Sequence, residues 1–306
     1  MFVYIGRRVL WTIPLVIGVT IIVFLILHLT PGDPAALLLG ERGDQASIER
    51  LRVQMGLDKP LYVQYIDFIG RVATGDLGTS TRSLRPVVQE FSHRLPATLQ
   101  LSVVALLIAV IGGVSVGIVS AVKQYSVFDN IAMVITLIFA SMPSFWFGLI
   151  LMLLFAVQLG WLPPVGRDNW LSIIMPALTL AAAPAALIAR STRSGMLEIL
   201  HADFIRTALA KGLRFNRVVR EHALKNAMIP VITIIGLQFG SMMGGSVVVE
   251  TVFSWPGIGR MMVEAIITKD FPIVQSGLLI MALIVTATNL LVDITYGFLD
   301  PRIRYD

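Results

Sequence analysis

The chain has 306 residues, of which 56% are hydrophobic and only 14% charged, with a mean hydropathy of +0.81. That balance lies far from the soluble norm and places the chain among integral membrane proteins, so the formal charge of +5 reads as a topology signal rather than a nucleic-acid footprint. The absence of cysteine excludes disulfides, thiolate metal sites and a cysteine nucleophile, and the scattered His28, His93, His201 and His222 carry no HExxH spacing.

A helix rises about 1.5 Å per residue, so crossing the hydrocarbon core takes about 20 apolar residues. Six such runs occur: Val9 to Leu29, Leu95 to Val122, Ile131 to Leu159, Leu171 to Ala189, Ile229 to Val249 and Gly277 to Phe298. The expected fold is therefore an all-α polytopic membrane protein with six spans. The first run could also be a secretory signal, which shares a basic start and an apolar core. Its length of about 21 residues exceeds the roughly 7 to 15 of a signal core, and Thr30-Pro31-Gly32-Asp33-Pro34 is not a cleavage pattern. It is read as a retained helix. The fourth run is short and interrupted by Pro176 and Pro184, which predicts a kinked span.

Between the first two spans, residues 31–94 form an outer loop with eight Lys or Arg and eight acids, a helical pattern from Ser47 to Met55 and turn signals at Gly75-Asp76-Leu77-Gly78. A small folded appendage capping the spans is expected there. Arg7 and Arg8 precede span one, and Arg302 and Arg304 follow span six. The connection between spans four and five carries Arg190, Arg193, Arg206, Lys211, Arg214, Arg217, Arg220 and Lys225 against three acids. The positive-inside bias then places both termini and this connection in the cytoplasm, with 1–30 as N-terminus plus span one, 95–298 as the core and 299–306 as a tail.

Span five holds Gly236, Gly240 and Gly244, and span two holds Gly113 and Gly117, spacings that let helices approach closely. Arg190, Glu250 and Asp293 are ionisable groups near or inside spans. Arg190 and Asp293 fall near helix ends, where a structural ion pair or snorkelling suffices. Glu250 opens an outer connection, Glu250-Thr251-Val252-Phe253-Ser254-Trp255-Pro256-Gly257-Ile258-Gly259, that reads as re-entrant and as lining or capping the mouth of a pathway.

The polar island from Asp203 to Pro230 is where a soluble partner would engage. Asp203 is expected to cap a short helix with a stripe of Phe204, Ile205, Ala208 and Leu209, Gly212 to end it, and Asn216 to cap a second short helix at an angle before Pro230 starts span five.

On Ala208, Gly212 and Asn226-Ala227-Met228-Ile229-Pro230 the island resembles the EAA-type loop of ABC importer permeases, with Thr207 replacing the leading acidic residue. Pro31-Gly32-Asp33-Pro34, Gly56-Leu57-Asp58 with Pro60-Leu61, Gly75-Asp76-Leu77-Gly78, Gly160-Trp161-Leu162-Pro163 and Val252 to Gly259 resemble the dipeptide, oligopeptide, glutathione and nickel branch of that family. The resemblance implies a type I importer architecture and a partnership with a second permease, two cytoplasmic ATPases and an extracytoplasmic solute-binding protein. It implies that Asp203, Phe204, Ile205, Arg206, Thr207, Ala208, Leu209, Ala210, Lys211 and Gly212 form the coupling helix. It places ATP and magnesium on the ATPases, since this chain contains no GxxxxGK[ST] phosphate loop. Short peptides (dipeptide, oligopeptide or glutathione) are the implied cargo, with glutathione a strong candidate on the compactness of the chain and its shorter outer loop, and nickel chelates as another. Two rivals fare worse: an intramembrane hydrolase would have only Ser246 beside a glycine pair and no histidine in a later span, and a stand-alone secondary transporter would show inverted repeats and midplane charges.

Overall fold

The structure, a computed structural model, describes residues 2–29, 44–54 and 56–299. Pro31-Gly32-Asp33-Pro34, Arg302 and Arg304 lie outside the described residues, as do the side chains of Arg7, Arg8 and Asp293. In chain order the helices are α1 (Phe2–Leu29), α2 (Gln45–Gln54), α3 (Leu61–Ala73), α4 (Val87–Val122), α5 (Val127–Ser141), α6 (Ser144–Leu151, prolonged by a π-helical Met152–Gln158), α7 (Ile174–Leu200), α8 (Asp203–Ala210), α9 (Phe215–Val252), α10 (Ile258–Ile267) and α11 (Phe271–Leu299). One isolated bridge, Thr79 to Pro86, is the sole β pairing among the described residues.

Four helical segments are long and apolar enough to cross a membrane: Val87–Val122, Trp170–Leu200, Phe215–Val252 and Phe271–Val292. The expected third span is not one rod. It breaks at Met142-Pro143 into α5 and α6, which meet at 109°, and counts as a fifth span only when the two are joined. Proline explains the break: it lacks the amide that would continue the ladder and disfavours helical geometry in the residue before it, and Met142 is extended at ψ 128°. The expected first span, α1, is helical over 28 residues and carries an apolar stretch from Leu10 to Leu25.

The fourth span reverses its expected weakness. From the short 3-10 turn at Trp170 to Leu200 it is continuous through Pro184, and 56% of its most apolar window is buried against 28% in each of the other three. Asn169 caps its start, its carboxamide oxygen accepting from the amides of Leu171 (2.9 Å) and Ser172 (3.1 Å). The reason α7 sits at the centre is side-chain size: Ala177, Ala181, Ala186 and Ala189 are buried, and α4 lies against them. Gly113 and Gly117 of α4 meet the carbonyls of Ala185 and Ala189 so closely that an added Cβ would stand 2.7 and 2.6 Å from them. That contact joins α4 to α7, and the inner face of α9 closes the core through Val231, Met242 and Val249.

Around this core, α3 packs on α1 and α11. Phe24 stacks edge-on against Tyr65 at 5.4 Å, Tyr65 shares a hydrogen bond with Thr20 (2.9 Å), and Phe24, Phe68 and Leu279 form a small cluster. Gly236 of α9 faces Val292 of α11 and Gly240 faces Asn289, whereas a Cβ on Gly244 would meet open space. The glycine triplet therefore provides two packing positions within this chain rather than three.

Candidate functional sites at the two ends of the bundle

At the basic end, α8 is an eight-residue helix with one face turned inward. Ile205 is buried in a cluster with Ala121, Met196, Val218, Val219, Ala223 and Ala227, and Ala208 packs against it. Phe204 and Leu209 point away, 45% and 39% exposed. Thus the stripe expected as one face divides into an anchoring pair and a displayed pair. Gly212, at φ +81°, takes the left-handed conformation that ends α8, a geometry glycine reaches without the Cβ penalty.

Three details differ from expectation. Asp203 does not cap: Ala202 occupies that position without a side-chain bond, and Asp203 sits exposed in the first turn, where its charge complements the helix dipole. Asn216 does not cap either, because Arg214 holds that place. No separate second helix forms, since Phe215 starts a helix that runs unbroken to Val252, through a π-helical stretch at Val218–Ala223 and past Pro230. Span five therefore reaches directly into the island, and what was expected as a second short helix is its own extension, still separated from α8 by the break at Gly212.

Beside α8 the turn between α4 and α5 is tied to α7. Arg193 grips Asp129 with two parallel bonds, Nε to Oδ1 at 2.6 Å and Nη2 to Oδ2 at 2.7 Å, and the amide of Tyr125 donates to the same carboxylate (3.0 Å). Ser126 caps α5 by accepting from the amide of Asp129 (3.2 Å). This fork geometry is the strong form of ion pair, and Asp129 is almost wholly buried. Arg190, one turn earlier, is exposed and has no ion pair among the described residues.

At the opposite end, Glu250 does not open a connection; it lies in the last turn of α9 and is fully buried. Its Oε1 accepts from Thr98 Oγ1 of α4 (2.7 Å) and its Oε2 from the amide of Arg260 in the first turn of α10 (3.1 Å). A carboxylate placed at a helix N-terminus satisfies orphan amides and meets the positive end of the dipole. Thr98 also accepts from the amide of Ile258 (2.9 Å), and Trp255 Nε1 donates to the carbonyl of Ala97 (2.9 Å). Phe253 and Trp255 are buried, Ser254 and Pro256 partly so, and Ser254 has φ +50° with its carbonyl accepting from Arg260 Nη1 (2.7 Å). Gly257 leaves no room for a side chain, since a Cβ would stand 2.4 Å from the Glu250 carboxyl carbon. Across this turn Gly166 donates to the carbonyl of Phe253 (2.9 Å), and Arg167 stacks 5.6 Å over the Trp255 ring while bonding Gln100 (2.5 Å). The segment is thus a packed knot, with Glu250 as its buttress.

Two family descriptions match this chain. Residues 1–102 match the N-terminal region of binding-protein-dependent transport system membrane components, and residues 113–305 match the binding-protein-dependent transport system inner membrane component. The chain belongs to this family. As an inner membrane component it is multi-pass, in keeping with its apolar helices. It is similar over its whole length to the dipeptide transport system permease protein DppB of Alkalihalophilus pseudofirmus, 46% identical over 100% of both chains. It is 48% identical to the glutathione transport system permease protein GsiC of Pectobacterium atrosepticum over 99% of both, and 45% identical to the di/tripeptide transport system permease protein DppB of Pseudomonas aeruginosa over 100% of this chain and 99% of that one. Among solved structures, an inward-facing MetNI methionine ABC transporter matches with a TM-score of 0.59, at 19% identity, covering 70% of this chain and 97% of the other, which establishes a shared fold.

In this inner membrane component, sequence reasoning missed Thr98, Asp129 and the pairing of Arg193, which it counted only as a topology charge. Asp129 had a local signal, because Ser126 stands three residues before it as a helix cap does. Thr98 had none, being an ordinary hydroxyl in an apolar run 152 residues from its partner.

Proposed function

We propose that the chain is the permease subunit of an ATP-driven importer of short peptides, with glutathione the foremost substrate. The observation that carries this reading is α8: a short helix fixed to the ends of three core helices by Ile205 and Ala208 while offering Phe204 and Leu209 outward. Such a helix transmits a push into the bundle because it cannot slide independently of α4, α7 and α9. In this reading it seats in a groove of a cytoplasmic ATPase subunit that binds ATP and magnesium, residues 190–228 are the cytoplasmic coupling region, and both termini share that side. Residues 31–94 lie outside, toward a solute-binding protein. A second, similar permease completes the pathway, and the apolar outer faces of α5 and α6, where Val134, Leu137, Trp146 and Leu149 are about half exposed, meet lipid or that partner.

The substrate preference rests on full-length similarity and on length. The match to the glutathione permease spans 302 positions, close to the 306 of this chain, whereas those to the two dipeptide permeases need 333 and 335 positions to accommodate the same residues. Purification of the tagged chain in mild detergent from its native host, followed by mass spectrometry, tests the assembly. A second permease and ATP-binding subunits in fixed ratio are the expected result. Recovery of the chain alone, with uptake in liposomes that lack ATP, would overturn it. Competition of radiolabelled glutathione uptake by dipeptides then ranks the substrates.

A further inference from the structure

At the end of the bundle opposite α8, the chain between α3 and α4 forms a rigid strap. Ser80 Oγ donates to buried Asp270 (2.5 Å) and accepts from the amides of Arg82 (3.3 Å) and Ser83 (3.0 Å), and the amide of Thr81 donates to the other oxygen of Asp270 (3.2 Å). The Ser80 amide bonds the carbonyl of Arg85 (2.9 Å), and the amide of Leu84 bonds that of Ser80 (3.1 Å). Leu84 stands at the tip with φ +57° and is 78% exposed. A bulky residue in the left-handed region costs about 1–2 kcal/mol, so the strap holds an apolar side chain out in water against two opposing preferences.

Strap, α4 and α10 enclose an open cup of about 490 Å³ lined by Arg82, Arg85, Arg94, Glu90, Glu264 and Asp270 among others. Among the described residues the charges in this cup are not matched. Asp270 is occupied by the strap and Glu264 by Arg260 (2.8 Å), which leaves Glu90 against three guanidinium groups that pair with no described residue. Arginines that make no ion pair with a described residue and stand on a fixed frame are preorganised for bidentate carboxylate recognition.

We propose that this strap, through Arg82, Leu84, Arg85 and Arg94, is the docking seat for an acidic patch on the soluble solute-binding protein; the inference rests on the importer reading above. The family description itself requires a binding protein, and this end is the one remote from the coupling helix, since α4 begins beside the strap and ends beside α8. A macromolecular surface suits the cup better than a free peptide. Small-ligand sites enclose most of their ligand, whereas here Arg82, Leu84 and Arg85 project outward from an open rim. Arginine is also enriched in protein interfaces, and charge at such a rim acts mainly on the association rate.

The test uses the intact transporter in nanodiscs and the separately purified solute-binding protein of the same transport system, with association followed by biolayer interferometry at low and high salt. The expected result is that Arg82→Glu with Arg85→Glu slows association on the order of tenfold at low salt and flattens the salt dependence, and that reversing acidic residues on the binding protein restores it. Arg85→Lys should retain most of the rate, and an unchanged basal ATPase activity shows that the variants are assembled. Wild-type association by the double variant overturns the proposal. So does saturable binding of glutathione to the transporter without binding protein that the double variant loses while docking is unchanged, because the cup is then a peptide site. Failure of the wild-type transporter to bind any solute-binding protein removes the importer reading as well.

Discussion

The knot at Glu250 and the helix at Asp203 to Ala210 are built by opposite rules. Around Glu250 every strong polar group has a partner, and Phe253, Trp255 and Ile258 are almost wholly buried; around α8 only one face is anchored, and Phe204, Leu209 and Phe215 are left about 40–45% exposed. The first region finishes its interactions within the chain. The second has interactions left to make. Since an exposed apolar face costs free energy without a partner, the contrast separates a region whose packing is complete within the chain from one with apolar surface left to cover.

Breaking the resistant end should have the largest effect. Glu250→Ala leaves the Thr98 hydroxyl and the Arg260 amide unsatisfied in a dry site, a loss of about 3 kcal/mol. Little monodisperse protein should survive detergent extraction, as fluorescence-detected size exclusion would report. Gly257→Val should be as severe, because its Cβ has no space beside the carboxyl group. If either variant accumulates normally with an unchanged melting temperature, the knot is not a structural element. Gly117→Leu against Gly244→Leu sharpens the same point within two helices: the first should abolish folding and the second should be tolerated, since only Gly117 is pressed against another backbone.

These contrasts also mark what could be read before folding. The apolar runs identify α4, α7, α9 and α11 because membrane burial is written in composition, and Gly212 identifies the end of α8 because left-handed backbone favours glycine. The bend at Pro143 was legible in principle: a run of that length exceeds what one crossing needs, and proline disfavours helix in the residue before it. What could not be read was partnership across the chain. Nothing near Glu250 names Thr98, and nothing near Asp129 names Arg193, 64 residues away. An acid next to an aromatic, glycine-rich turn reads as a pathway group when its neighbours are unknown and as a buttress once three helices are seen to meet on it.

An intermediate effect is expected where the two regimes adjoin. Asp129→Asn weakens a bidentate pair and one backbone bond at a site only partly shielded on the arginine side, a cost of about 2 kcal/mol. The subunit should still fold, with a lower melting temperature, and Arg193→Lys should lose nearly as much because a single ammonium cannot reproduce the fork. Full stability in Arg193→Lys would mean the pair acts as a point charge.

The smallest stability effects should come from the outward face of α8, and there the comparison is decided by function. Leu209→Asp or Phe204→Asp alters side chains that are 39% and 45% exposed and lie outside the buried cluster around Ile205, so stability should fall by only about 1 kcal/mol. If α8 seats in an ATPase groove as proposed, uptake should nevertheless fall on the order of tenfold or more while ATP hydrolysis continues, because a charged group would then be set into that apolar contact. Charge removal at Arg214 and Arg217 is the internal control: both are exposed, and the pair of Arg217 with Glu221 on the helix surface contributes about 0.3–0.5 kcal/mol. Ala208→Glu would not discriminate, since Ala208 packs inward and a large acid there disturbs the cluster around Ile205 as well as any partner. Unchanged coupling in Leu209→Asp and Phe204→Asp, with uptake lost only when Ile205 or Ala208 is disturbed, would mean that α8 matters as a plug on the bundle end and that force enters the subunit elsewhere.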